Sequence, residues 1–237
     1  MPAKFLVANS LWDESFTSYC SFMYLRMSKR VYEINVLDLF FFLRDDRAMM
    51  AELKSFFPLQ VSRVHEVCGA GATAFAAMAC GPADVRVLWL KTGWQVEQLN
   101  PAGLASFMSP KNLILVEVES HNDLLACTED GLRSGAIDLV ISEVTQKLDL
   151  TAGRRLQLAA EQGGSTGILI IPEGAGSNAT QTRWHCSPIF KGNHISDKNL
   201  TLQHWQLIKN KIGTLSSWKV YWDAKAHRVI VVSEDGQ

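Results

Sequence analysis

A chain of 237 residues, 47% hydrophobic and 20% charged, is long enough to bury a substantial core and too apolar for a disordered polymer. A formal net charge of −1 excludes a protein that holds nucleic acid by bulk charge alone. The apolar run "VLDLFFFL" contains Asp38 and falls short of the roughly 20 residues of a membrane span, and Asp13 and Glu14 interrupt the early stretch that a signal peptide requires. The cysteines Cys20, Cys68, Cys80, Cys127 and Cys186 are odd in number and never spaced C-x-x-C. That usage predicts reduced thiols in the cytoplasm, with neither zinc nor a disulfide framework.

Residues 1–55 carry aromatic clusters without clean periodicity and read as an irregular N-terminal extension, in which Met27, Met49 and Met50 leave downstream starts open. Residues 56–237 read as one α/β domain. "RVHEV" is expected to be a buried strand, and "TAFAAMAC" a short helix stopped by Gly81-Pro82. "VRVLWL" and "NLILVEV" follow as strands. Asn122 is expected to cap a helix through "DLLACTEDGLRS" that places Leu124, Thr128 and Leu132 on one face, with Leu125 beside them. "AIDLVI" is a further core strand. "LTAGRRLQLAAEQGG" is predicted as a helix with Ala152, Leu156, Ala159 and Ala160 inward, ended by Gly163 or Gly164. "GILII" is another buried strand, and "PEGAGSNA" a flexible connection. "LQHWQLIKNK" is read as a last helix, and "SWKVYW" with "HRVIVV" as a closing hairpin. Continuous apolar strands alternating with helices imply a mostly parallel sheet covered on both faces, with any ligand at the carboxyl ends of its strands.

The stretch that most resembles a ligand loop is "HEVCGAGATAFAAMACG", where Gly69 and Gly71 lie between a strand and a small-residue helix. With "LRSGAIDLVI", the order of motifs resembles the RecA-like ATPase core. "FPLQVSRVHEV", "LDLTAGRRLQLAAEQ", "TRWHCSPI" and the ending "WQLIKNKIG…SWKVYWD…HRVIVV" together resemble the ImuA family, RecA-related proteins of the bacterial inducible mutagenesis cassette. The resemblance covers about residues 58–233.

A working phosphate loop, G-x-x-x-x-G-K-[ST], needs a lysine for the β- and γ-phosphates and a hydroxyl for Mg²⁺. Counting from Gly69 puts Ala74 at the second glycine, Phe75 at the lysine and Ala76 at the hydroxyl, with Thr73 out of register. Lys91 stands on the strand where RecA proteins place a glutamate, and Glu143 is the surviving acidic position. The resemblance therefore implies a RecA-like fold without ATP turnover, cofactor or metal. It implies a DNA-damage (SOS) accessory role in translesion synthesis, in the cytoplasm and at the nucleoid when engaged. The implied partners are a Y-family-polymerase-like protein (ImuB-like), RecA and an error-prone replicative-type polymerase. A SulA-like division inhibitor that binds the division GTPase, and a divergent ATPase using Glu143, are the alternatives; the long portion from Trp205 to Val232 favours the first reading.

Other residues divide between function and packing. From Arg183 to Arg228 eight Lys/Arg face two acidic residues, Asp197 and Asp223. Arg154, Arg155, Arg183, Lys209 and Lys211 are the candidate partner or DNA contacts, set against a solvated basic face. Trp184, Trp205, Trp218 and Trp222 are candidates for base stacking but at their spacing read as core. His65 and Glu66, and His185 and Cys186, read as satisfied or packed pairs, not as acid–base or metal sites.

Overall fold

Strand β1 (Phe22–Met27) pairs with β2 (Arg30–Asn35) in an antiparallel ladder with Phe22 opposite Asn35 and Met27 opposite Arg30. The computed structural model describes residues 22–27, 30–35, 49–81, 84–190 and 201–232. The chain divides into two units, Met1–Ala51 and Glu52–Gln237. The first, read from sequence as irregular, thus contains a strand pair; Cys20 and "VLDLFFFL" fall outside the described residues.

The second unit is built on a nine-stranded sheet. Its elements are β3 (Val64–Cys68), α1 (Ala72–Ala79), β4 (Val87–Thr92), the one-turn α2 (Pro101–Leu104), β5 (Leu113–Val118), α3 (His121–Arg133), β6 (Leu139–Glu143), α4 (Leu150–Gly163), β7 (Thr166–Ile170), β8 (Thr182–Pro188), β9 (Gln203–Asn210), β10 (Ser216–Asp223) and β11 (Arg228–Val232). The strand order is β11-β10-β9-β8-β3-β7-β6-β4-β5. From β8 to β5 every pairing is parallel, and β9, β10 and β11 add antiparallel. This is the expected α/β sheet with a C-terminal hairpin, widened by one further strand.

Burial follows the pattern that builds it. The five residues of β3 are all buried, as strands covered on two faces demand. On one face Val64, Leu90, Val140 and Leu169 pack with Leu124 and Leu132 of α3 and Leu156, Ala159 and Ala160 of α4. On the other, Phe75 of α1 sits among aromatic rings from β8 and β9. Helix α3 is capped by Ser120, whose Oγ accepts from the Asp123 amide, and not by Asn122, which lies inside the first turn. Asp149 caps α4 through the Ala152 amide, and Gly164 closes it in the left-handed conformation.

"LQHWQLIKNK" is a strand, not a helix. Gln203, Trp205 and Leu207 are buried while His204 and Gln206 between them are half-exposed, a period of two. Leucine, glutamine and lysine favour helix in isolation, but the free edge of β8 and the buried indole of Trp205 outweigh that preference. Between Leu207 and Lys209 the ladder with β8 slips, Trp184 pairing with Leu207 and Arg183 with Lys209. This bulge re-aims Lys209 to the side of the sheet that Arg183 occupies.

Candidate functional site

The turn at residues 69–71 stands at the carboxyl end of β3, where a parallel sheet presents its ligand loops. It is closed from within. Gly71 N donates to Cys186 O at 2.8 Å and Ala72 N to Gly69 O at 3.0 Å. Gly69 has φ +90°, and a Cβ there would stand 2.5 Å from Cys186 O. The close approach that glycine permits is therefore made to the end of β8.

Phe75 is wholly buried. Its ring centroid lies 4.6 Å from Trp205, 5.4 Å from Trp184 and 5.8 Å from Phe57, tilted or edge-on to each. Ala76 is buried beside it in α1. Trp184 also meets Trp218, whose far side carries Phe56. Trp184, Trp205, Trp218 and Trp222 are thus core residues, with Trp222 anchored by its Nε1 on Ser106 O at 2.8 Å. Nothing in their spacing announced that Phe57 and Phe75 would join them.

Glu143 lies across the sheet on β6. One carboxylate oxygen accepts from Trp89 Nε1 at 2.7 Å and the other from Gln95 Nε2 at 3.1 Å. Lys91 has no exposed side-chain surface; its Nζ donates to Glu97 O at 2.7 Å and lies 3.5 Å from Glu117 Oε1. The ammonium faces the neighbouring edge strand instead of the turn.

Glu66 organises the connection after β7. Its carboxylate is fully buried and accepts from Ser177 N (2.7 Å), Thr180 Oγ1 (3.0 Å) and Arg183 Nε (2.7 Å). Arg183 continues to Ser177 O at 2.9 Å, and its guanidinium lies so close over Gly176 that a Cβ there would fall 2.2 Å away. Lys209 donates to Thr180 O and Asn178 O, and Lys211 to Ala179 O at 2.6 Å. Burial lowers the Lys209 ammonium to a pKa of about 8, against the upward pull of Glu66. The "PEGAGSNA" connection is therefore pinned, and Arg183, Lys209 and Lys211 point their charges into it. Arg154 and Arg155 are both exposed, and Arg155 reaches Glu129 of α3 at 2.5 Å.

His65 and Glu66 do not meet. His65 Nε2 donates to Gln60 O at 2.9 Å, which leaves Nδ1 to accept from Thr182 Oγ1 at 2.7 Å; that hydroxyl in turn accepts from Trp184 Nε1. Burial, with the nearby Arg63 charge, pushes His65 down to about 4. The unfolded chain takes up this proton near pH 6.5 and the native one only near pH 4, so stability is lost as pH falls through that interval. The expected loss is about 3 kcal/mol, and urea titrations should show a pH slope one proton shallower in His65→Gln. An unchanged slope would refute this assignment. His185 Nε2 lies 3.1 Å from Glu173, and burial raises the Cys186 thiol well above its usual range. Cys68, Cys80, Cys127 and Cys186 are free thiols, and no metal-binding cluster occurs among the described residues. No described helix is long and apolar enough to cross a membrane.

No family model matches the chain. Over 164 residues it is 29% identical to Protein ImuA of Caulobacter vibrioides, in strain NA1000 / CB15N and equally in strain ATCC 19089 / CB 15. The match covers 60% of this chain and 67% of the relative. By that similarity the chain is ImuA-like, though only distantly.

Proposed function

We propose that this chain is a non-catalytic RecA-like accessory protein of the DNA-damage (SOS) response. On this reading it supports error-prone translesion synthesis through contacts with a Y-family-polymerase-like partner (ImuB-like) and RecA, alongside an error-prone replicative-type polymerase. It works in the cytoplasm and at the nucleoid when engaged. The observation that carries this is Phe75: the position that would meet the β- and γ-phosphates holds a ring locked among Phe57, Trp184 and Trp205. The Gly71 amide, which a phosphate would need, is bound to Cys186 O. The turn then acts as scaffold, and Glu143 is held by Trp89 and Gln95 as part of it. The similarity to Protein ImuA supports the mutagenesis role over a SulA-like inhibitor.

The test is nucleotide titration with and without Mg²⁺, followed by co-purification with the polymerase-like partner and with RecA. We expect no turnover of ATP, no magnesium-dependent tight binding, and a stable complex with a partner. Steady ATP turnover abolished by Glu143→Gln would overturn the reading in favour of a divergent ATPase.

A further inference from the structure

Strand β5 ends the sheet, pairing with β4 and with no other described strand. Gly93 N donates to Val118 O at 2.9 Å, so the main-chain groups of Val118, and by alternation those of Val116 and Ile114, turn toward β4. The N–H and C=O groups of Leu115 and Glu117 therefore point away from the sheet, while the Leu113 N–H is taken by Pro110 O. Edge strands are normally blunted by proline, lysine or a bulge. β5 has none within "LILVEV", pairs with β4 in unbroken register, and exposes Ile114 by 53% and Leu115 by 41%. Trp94 follows Gly93 at the same end of the strand and is 65% exposed, with Val96 at 87%. Glu97, Glu117 and Glu119 give that end a negative rim, against which Lys91 supplies one buried cation.

We infer that the β5 edge is the docking site for an extended segment of the polymerase-like partner, which adds to the sheet as a tenth strand. Outward main-chain groups supply affinity along Leu115 and Glu117. Apolar side chains on both faces of the segment cover Ile114 and Leu115, which lie on opposite faces of β5. A lysine or arginine at its end lies against Trp94 and the carboxylates of Glu117 and Glu119, so charge complementarity selects a basic-ended apolar strand over an acidic one. This rests on the partner-binding reading proposed above and assigns it a surface.

The experiment uses the full chain and the purified polymerase-like partner, with affinity measured by calorimetry and amide exchange followed over residues 113–119. Leu115→Pro removes an outward donor at a position where an edge strand tolerates proline. Trp94→Ala and Glu119→Lys change exposed side chains and keep the test valid if the proline variant does not fold. The expected result is slowed exchange across β5 in the complex, with affinity weakened at least tenfold by Leu115→Pro and severalfold by Trp94→Ala and Glu119→Lys. A complex that forms with wild-type affinity in all three variants and leaves β5 exchange unchanged overturns the edge assignment and leaves the function intact. Failure of the unaltered chain to bind either the polymerase-like partner or RecA overturns the function and the edge assignment together.

Discussion

Phe75→Ala is expected to destabilise the second unit by about 3–5 kcal/mol, the range for deleting a fully buried phenylalanine side chain. Three rings lose their common neighbour at once, and α1 loses its main anchor to the sheet. Phe75→Lys, combined with Ala76→Thr to restore phosphate-loop chemistry, is expected to be worse and to recover no nucleotide binding. An ammonium in that cluster has no described acceptor and carries the cost of an unpaired buried charge. Urea denaturation followed by tryptophan fluorescence reads both effects, because Trp184 and Trp205 report on the ring directly. If the double variant folded normally and bound ATP with Mg²⁺, the turn would be an intact phosphate site held shut by one side chain, and the scaffold account would be wrong.

The second large effect is at Glu66. Glu66→Ala removes an acceptor of three hydrogen bonds and leaves the partly buried Arg183 without its carboxylate, which is expected to cost about 3 kcal/mol. The loss has a location as well as a size. Residues 172–181 should become the first site of proteolytic cleavage, and the Ser177 amide should exchange as a surface loop does. Glu66→Gln keeps one oxygen, which can stand where either Oε1 accepts from Ser177 or Oε2 accepts from Thr180 and Arg183, and puts an NH2 at the other place, so its loss should fall short of that of Glu66→Ala. A variant as stable as the parent, with a protected Ser177 amide, would show that Lys209 and Lys211 hold the connection unaided.

These two residues also mark where sequence reasoning succeeds and stops. The strand at "RVHEV", the α3 face of Leu124, Thr128 and Leu132, and the α4 face of Leu156, Ala159 and Ala160 follow from period and burial alone. That Phe75 departs from the spacing of a phosphate loop is legible too. What surrounds its ring is not. Phe57, Trp184 and Trp205 reach Phe75 from distant elements, and no local pattern encodes that meeting. The same holds for Glu66, whose acceptors are used by residues 111, 114 and 117 positions later. The strand β9 was misread as a helix for a related reason. Its local composition favours helix, and only the waiting edge of β8 decides for the strand. Basic residues from Arg183 onward look like a surface when counted along the chain, yet three of them, Arg183, Lys209 and Lys211, hold the connection before β8.

The strand order carries a consequence for synthesis. β3 emerges from the ribosome first among the nine strands, yet its neighbours β7 and β8 are translated only after β4, β5 and β6. At translation speeds of roughly 5–20 residues per second, the nascent chain spends seconds with Val64, Val67 and Phe75 uncovered. Its earliest core strand is therefore among the last to be buried, covered only once β7, β8 and β9 have followed it out of the exit tunnel.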